Sequence, residues 1–454
     1  MGIKKLFAAR DMTQGAPWQR ILEFSIPMLI GNVAQQLYNT ADSVIVGKFV
    51  GDNALAAVGS AMPILNLLLA LFVGIATGAG IVISQSYGAR DREGLSKSIG
   101  NCISLAFIAS LVIMVVGPLL TRPMLELLGT PDSILDWCTA YLKIQFFGIA
   151  GFFFYNMLSG VLRGLGDSVS ALGFLLLAAA LNVVLDLWFV AGFDMGVAGA
   201  SLATAISKTV SFCILIFPYI TRRSLLHLSI RNFRPTREII SEIVTVGSSS
   251  MFRNGLAVVA GILLNTLAGN ISDSVLAGIG VCTKIMMFPF SIILGFGNGF
   301  QPVAGFNWGA KRYDRVKESY RFSSKVAFWG GAVMAAICIL FADKLIVLFA
   351  GTDEEMRRIG AFAIITQSVA LPIHAWVAIV NMYCVGLGNA KGALALSTAR
   401  QGSCFLPILY PMAWLFKAWG VGAVQAAADI LSLLLAIPII RGLNRRIKTA
   451  MSQT

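Results

Sequence analysis

Uncharged, strongly apolar stretches of some 20 residues recur from one end of this chain to the other, as in "ILNLLLALFVGIATGAGIVIS" at 64–84. Each is long enough to cross a hydrocarbon layer about 30 Å thick as a helix. Lipid offers no partner to a backbone N–H or C=O, so only helices and closed barrels span it. Barrel strands would be about 10 residues long and would alternate polar with apolar side chains, which these runs do not. The spans read as 21–46, 54–85, 95–117, 134–158, 168–190, 196–219, 241–266, 275–306, 322–348, 358–383, 392–415 and 419–440. The fold class that follows is an all-α polytopic membrane protein of about 12 transmembrane helices. Composition agrees: 57% of residues are hydrophobic and 13% charged, against a roughly half-apolar make-up in soluble domains.

A net charge of +13 raises the question of nucleic acid, and the distribution of the charges answers it. With loops assigned alternately to two sides and the N-terminus taken as cytoplasmic, 24 of the 35 Lys and Arg fall on that side, among them Arg90, Arg92, Lys311, Arg315, Arg441 and Arg445. Six fall on the other, and five lie inside spans. Such asymmetry sets topology. Both termini are therefore expected in the cytoplasm, the cell membrane is the expected location, and lipid headgroups rather than nucleic acid are the expected partners of the basic residues. The polar, basic first 20 residues precede an apolar run too long for a cleavable signal, so it is expected to remain as the first span. The seven Cys lie in or beside spans with no CxxC spacing and read as small buried hydrophobes.

The chain repeats itself. "ALAAVG" at 54–59 returns as "VLAGIG" at 275–280, "SYGARDREGLSKS" at 86–98 as "NWGAKRYDRVKES" at 307–319, and "GLGDSVSAL" at 164–172 as "GLGNAKGAL" at 386–394. Two six-helix copies imply an N-lobe over 1–220, a basic cytoplasmic linker over 221–240 and a C-lobe over 241–454. Six is even, so both copies enter from one side and are related by an axis along the membrane normal. That is a transporter's layout, in which one lobe rocks against the other. A channel more often closes a ring of subunits about a filter. The chain carries no HExxH, GxSxG or P-loop, so an enzyme is not expected.

Ionisable residues inside a span are costly and default to function. Asp42 lies in the first span and Asp186 in the fifth, with Asn182 four residues before Asp186 on the same helix face. Thr204 of the sixth span is the nearest hydroxyl, because the fifth and sixth spans are joined by a short turn and must be antiparallel neighbours. Two carboxyl groups, an amide oxygen and a hydroxyl are hard ligands, suited to Na+ or to a proton shared between acids. The competing reading is structural: Asp186 accepts hydrogen bonds from Asn182 and Tyr141, and Asp42 sits near the headgroups. Asp429 and Arg400, in the last two spans, read first as a buried salt bridge and second as part of coupling. Lys143 and Lys208 read as snorkelling side chains and His374 as a core residue.

At these residues the chain resembles the multidrug and toxic compound extrusion (MATE) family over essentially its full length. The resemblance rests on "IPMLIGNVAQQLYNTADSVIVG", "GLGD", "NVVLD", "GVAGASLAT" and "FGNGFQPVAGFNWGAK", in this order and spacing. It implies cation-coupled export of drugs and other organic cations, with an N-lobe site for Na+ or H+ at Asp42, Asn182, Asp186 and Thr204. It also implies a tyrosine, Tyr141, hydrogen-bonded into that site, and a bend in the first helix at Pro27. Other branches carry acids in the seventh and eighth spans, where this chain has Arg253 and Lys284, which resembles the DinF-like branch. No covalent cofactor is expected, and the protein is expected to act as a monomer on small drug-like substrates. A lipid-linked precursor flippase of the same superfamily is the nearest alternative, and a passive ion channel the next.

Overall fold

The computed structural model describes residues 11–220, 234–350 and 353–452. Among them nearly every residue outside the connecting turns is helical, and none lies in a strand. The helices are α1 (Pro17–Phe49), α2 (Asp52–Gly88), α3 (Arg92–Leu127), α4 (Asp132–Phe147), α5 (Ile149–Gly164), α6 (Ser168–Asp186), α7 (Gly196–Ile220), α8 (Arg237–Gly269), α9 (Asp273–Gly309), α10 (Tyr313–Ala350), α11 (Glu354–Gly386), α12 (Ala390–Thr398) and α13 (Phe405–Ser452). Large apolar side chains such as Leu119, Leu340 and Val369 are exposed, as lipid-facing residues must be.

Nine helical segments in the described residues are long and apolar enough to cross a membrane, and the bent pair α4 and α5 makes a tenth. The segment Ala390–Ser452 holds the last two expected spans, since Lys417 at φ +48° breaks its helical path. Helix α1 completes the twelve: its 33 residues span easily, but Gln35, Gln36, Asn39 and Asp42 dilute its hydropathy. One expected span is corrected. The run 134–158 is not a single helix but turns by 52° at Gly148, where a side chain would strike Ala205 of α7.

The repeat is written in the backbone. Arg90 and Lys311, which match at the repeat shift, both adopt positive φ (57° and 55°), as do Gly166 (85°) and Gly388 (69°). After each of these glycines a side chain caps the next helix: Asp167 accepts from the Ser170 N–H at 2.9 Å and Asn389 from the Gly392 N–H at 3.2 Å. The "GLGD" and "GLGN" motifs are therefore turn-and-cap devices, a left-handed glycine followed by a short polar acceptor.

The chain forms two compact units. Among the described residues, the first comprises residue 11 with 30–220 and 234–247, the second residues 12–29, 248–350 and 353–452. Helix α1 is thus divided, its opening turns belonging to the second unit and the part from Ile30 onwards to the first. Much of the linker expected over 221–240 lies outside the described residues, and the chain is already helical from Arg237.

In the first unit α2 and α5 approach through small residues. A Cβ on Gly160 would overlap the carbonyl oxygen of Ala76, and one on Gly164 that of Gly80. Small residues let helix backbones pack closely where lipid gives no hydrophobic drive. Gly160→Val is expected to lower stability by about 1–3 kcal/mol, measured as a reduced thermal midpoint in detergent; an unchanged midpoint would show that the two helices separate at no cost.

In the second unit the opening turns of α1 rest on α9. The Ser25 hydroxyl donates to the Phe296 carbonyl at 3.1 Å, and Gly299 leaves no room for a side chain beside Ser25. The Met12 carbonyl accepts from Arg315 Nη2 at 3.2 Å, which ties the approach to α1 to the start of α10.

Candidate functional site

Four helices of the first unit bring the polar residues of its interior together. Helix α1 supplies Tyr38 and Asp42, one turn apart on one face, and α6 supplies Asn182 and Asp186 in the same register. Helix α7 contributes Thr204 and α4 contributes Tyr141. Asp186 ends the regular part of α6, and the chain continues as a π-helical turn over Leu187–Gly192. Such wide turns collect at functional sites because they re-aim side chains and leave carbonyls unpaired.

The two acids are in contact. Asp42 and Asp186 lie within hydrogen-bonding reach of each other, and both are buried, Asp186 completely. Asn182 bridges Asp186 to α7: with its amide oriented to satisfy both ends, Nδ2 donates to Asp186 Oδ2 at 3.0 Å and Oδ1 accepts from Thr204 Oγ1 at 3.3 Å. Tyr38 is hydrogen-bonded to Thr204 as well, so the α7 hydroxyl joins α1 and α6. Asp42 Oδ1 and Asp186 Oδ1 are buried with no hydrogen-bond partner among the described residues. Lone pairs left unsatisfied inside a protein are rare and call for an explanation.

Tyr141 is buried within electrostatic reach of both acids, but its hydroxyl is hydrogen-bonded to Gln145. Its backbone carbonyl accepts from the Ser201 hydroxyl at 2.8 Å, which fastens α4 to α7. Pro27 lies inside α1, which continues through it as a helix. Two residues went unread in the sequence: Tyr38, whose spacing of four from Asp42 was the available signal, and Gln145, which had none.

Lys208, expected to snorkel, does not. Its side chain is buried one turn beyond Thr204, with Nζ 4.6 Å from the ring centre of Tyr155, 5.6 Å from that of Tyr38 and 5.8 Å from that of Phe152. Ring faces attract a cation that has left water, which is what holds this ammonium inside. Lys143 is exposed.

The second unit has a polar cluster of different character. Arg400, on a π-helical turn over Ala399–Ser403, donates from Nε to Asp429 Oδ1 at 2.8 Å. His374 Nδ1 lies 3.5 Å from the same oxygen. The guanidinium stacks on Phe290 at 4.4 Å, and His374 meets that ring edge-on at 5.1 Å. Arg253 donates from Nη1 to Asn381 Oδ1 at 3.4 Å, while Lys284 is exposed. His374 is thus buried as expected, but it belongs to an ionic group rather than to an apolar core.

A model of the MatE family matches residues 27–188 and 250–415. The chain belongs to the MatE family. The two MatE segments are nearly equal in length and fall one in each copy of the repeat; the first contains Asp42, Tyr141, Asn182 and Asp186, and Thr204 lies just beyond it. Among curated MatE-like relatives, the chain is 26% identical to multidrug export protein MepA of Staphylococcus saprophyticus subsp. saprophyticus, over 94% of each chain. It is 28% identical to the probable multidrug resistance protein YpnP of Bacillus subtilis, over 90% of this chain and 91% of that one. Among solved structures, it matches the outward-facing conformation of a multidrug resistance MATE family transporter of the MOP superfamily. The TM-score there is 0.89 at 25% identity, covering 98% of this chain and 99% of the other.

Proposed function

We propose that this multi-pass membrane protein is a secondary active exporter that moves drug-like organic compounds, many of them cationic, out of the cell in exchange for Na+ or H+. The observation that carries this reading is the contact between Asp42 and Asp186, each with one buried oxygen lacking a partner. Two ionised carboxylates cannot remain side by side away from water without a proton or a cation between them. The unpartnered oxygens, with the Asn182 and Thr204 oxygens beside them, are hard donors of the kind Na+ prefers. The multidrug export and resistance roles carried in the names of the relatives support the substrate class.

Transport by this route needs the ion to bind one conformation better than the other, and nothing more. The ion stands between the carboxyl groups of α1 and α6, so its arrival favours the arrangement in which those helices are close. Its departure favours one in which they part. Rocking of two lobes then exposes the compound to each side in turn. The charge bias of the loops supports an orientation with both termini in the cytoplasm.

The test is efflux of a lipophilic cation from proteoliposomes under separately imposed Na+ and pH gradients. One gradient is expected to drive export and the other to leave it unchanged, which names the coupling ion. Ionic current without any exchanged compound would instead return the channel reading.

A further inference from the structure

The second unit carries an open groove of about 500 Å³ between α10, α11 and α13. Its walls are apolar and aromatic, with Phe328, Trp329, Trp376, Leu433 and Ile437 prominent, and its one charged lining residue is Lys325. Trp329 is 67% exposed. Trp376 is hydrogen-bonded with Tyr320.

The level of this groove in the membrane can be read from α10. The turns up to Arg321 are densely charged, Lys325 is the last cation before the apolar run, and residues 326–342 carry no charge. Those 17 residues rise about 25 Å, nearly the thickness of the hydrocarbon core. Lys325 therefore lies where headgroups meet acyl chains, and Trp329, one turn deeper, lies where indoles gather.

The same end of α13 repeats the pattern. Ile437 lines the groove, and Arg441, one turn on, is exposed. Arg446 stacks on Trp308, 5.4 Å away at the close of α9, which puts the basic end of α13 beside the charged start of α10. Arg321 lies one turn before Lys325 on α10, and Arg441 one turn after Ile437 on α13, at the polar end of an apolar trough that has no acid in its lining.

We propose that this groove is a binding site for one anionic phospholipid, its phosphate held by Lys325 and Arg441 and an acyl chain laid along Phe328, Trp329 and Trp376. Charge complementarity selects the occupant: a zwitterionic lipid would bring a choline to the same cations. The site lies within the second unit and does not depend on the transport reading.

Native mass spectrometry of the full-length protein in detergent, with equimolar phosphatidylglycerol and phosphatidylcholine of identical chains, tests the proposal. One phosphatidylglycerol is expected to survive activation that strips phosphatidylcholine. Lys325→Ala and Arg441→Ala are each expected to lower its retention about fivefold. Arg357→Ala, at the other end of α11, is expected to leave it unchanged. All three side chains are exposed, so the fold is expected to survive, and equal thermal midpoints check this. Phosphatidylglycerol with brominated chains is expected to quench tryptophan fluorescence at a lower mole fraction than the brominated choline lipid, and Trp329→Phe to remove much of that difference. Equal retention of the two lipids would overturn the proposal, as would indifference to both cation variants. So would a dimer dissociated by Trp329→Ala, which would make the groove a contact between copies of this chain.

Discussion

Asp42→Asn and Asp186→Asn are each expected to cut gradient-driven export sharply while the protein still inserts and folds. Asparagine keeps the size and much of the hydrogen bonding of aspartate but brings no titratable or negative oxygen. The neighbouring acid then has no reason to recruit an ion in its favour. Coupling between sites is typically worth on the order of 1–3 kcal/mol, so exchange should fall about 5- to 150-fold. Proteoliposome efflux under the effective gradient measures this, with detergent thermal midpoints as the control for folding. The midpoints should hold or rise, because the substitution relieves the contact between two acids. Exchange undiminished in either variant would return that residue to a structural role.

Breaking the ionic pair of the second unit is expected to act on stability instead. Asp429 accepts from Arg400 at 2.8 Å and is nearly inaccessible. Removing one member of a buried pair leaves the other charged and uncompensated, at a cost of about 3–5 kcal/mol. Asp429→Leu alone should therefore lower the thermal midpoint steeply. Arg400→Met combined with Asp429→Leu should restore much of it, since an apolar pair of similar volume carries no charge to strand. Export by the double variant separates the two readings of the pair: retained export fits a structural bridge, and lost export with a restored midpoint would place Asp429 in the coupling path.

The sequence announced the spans, the repeat and the grouping of Asn182, Asp186 and Thr204, because each depends on periodicity or on the neighbour relation that a short turn imposes. It gave no warning of the bend at Gly148, since "IQFFGIAGFFF" is apolar apart from Gln145 and carries no proline, and the close approach of Ala205, which leaves room only for glycine there, comes from a helix far along the chain. Lys208 was misjudged for a related reason. Snorkelling is the default for a lone lysine, and only the three-dimensional gathering of Tyr38, Phe152 and Tyr155 offers it another home. His374 joins Arg400 and Asp429 from 26 and 55 residues away, separations at which a single sequence carries no contact signal. The family resemblance implied a Tyr141 hydroxyl bonded into the acid cluster; Tyr141 lies within electrostatic reach of both acids, and its hydroxyl partner, Gln145, lies one helical turn along the same helix.

Helix α1 has its first turns gripped by Ser25 against α9 and carries Asp42 seventeen residues further along. A rod held at one end and pulled at the other bends most where it is weakest. In α1 that section is Pro27, just past the clamp, where the ring has removed one rung of the hydrogen-bond ladder. On the proposed function, a force on the carboxyl group would turn α1 at this residue before any other.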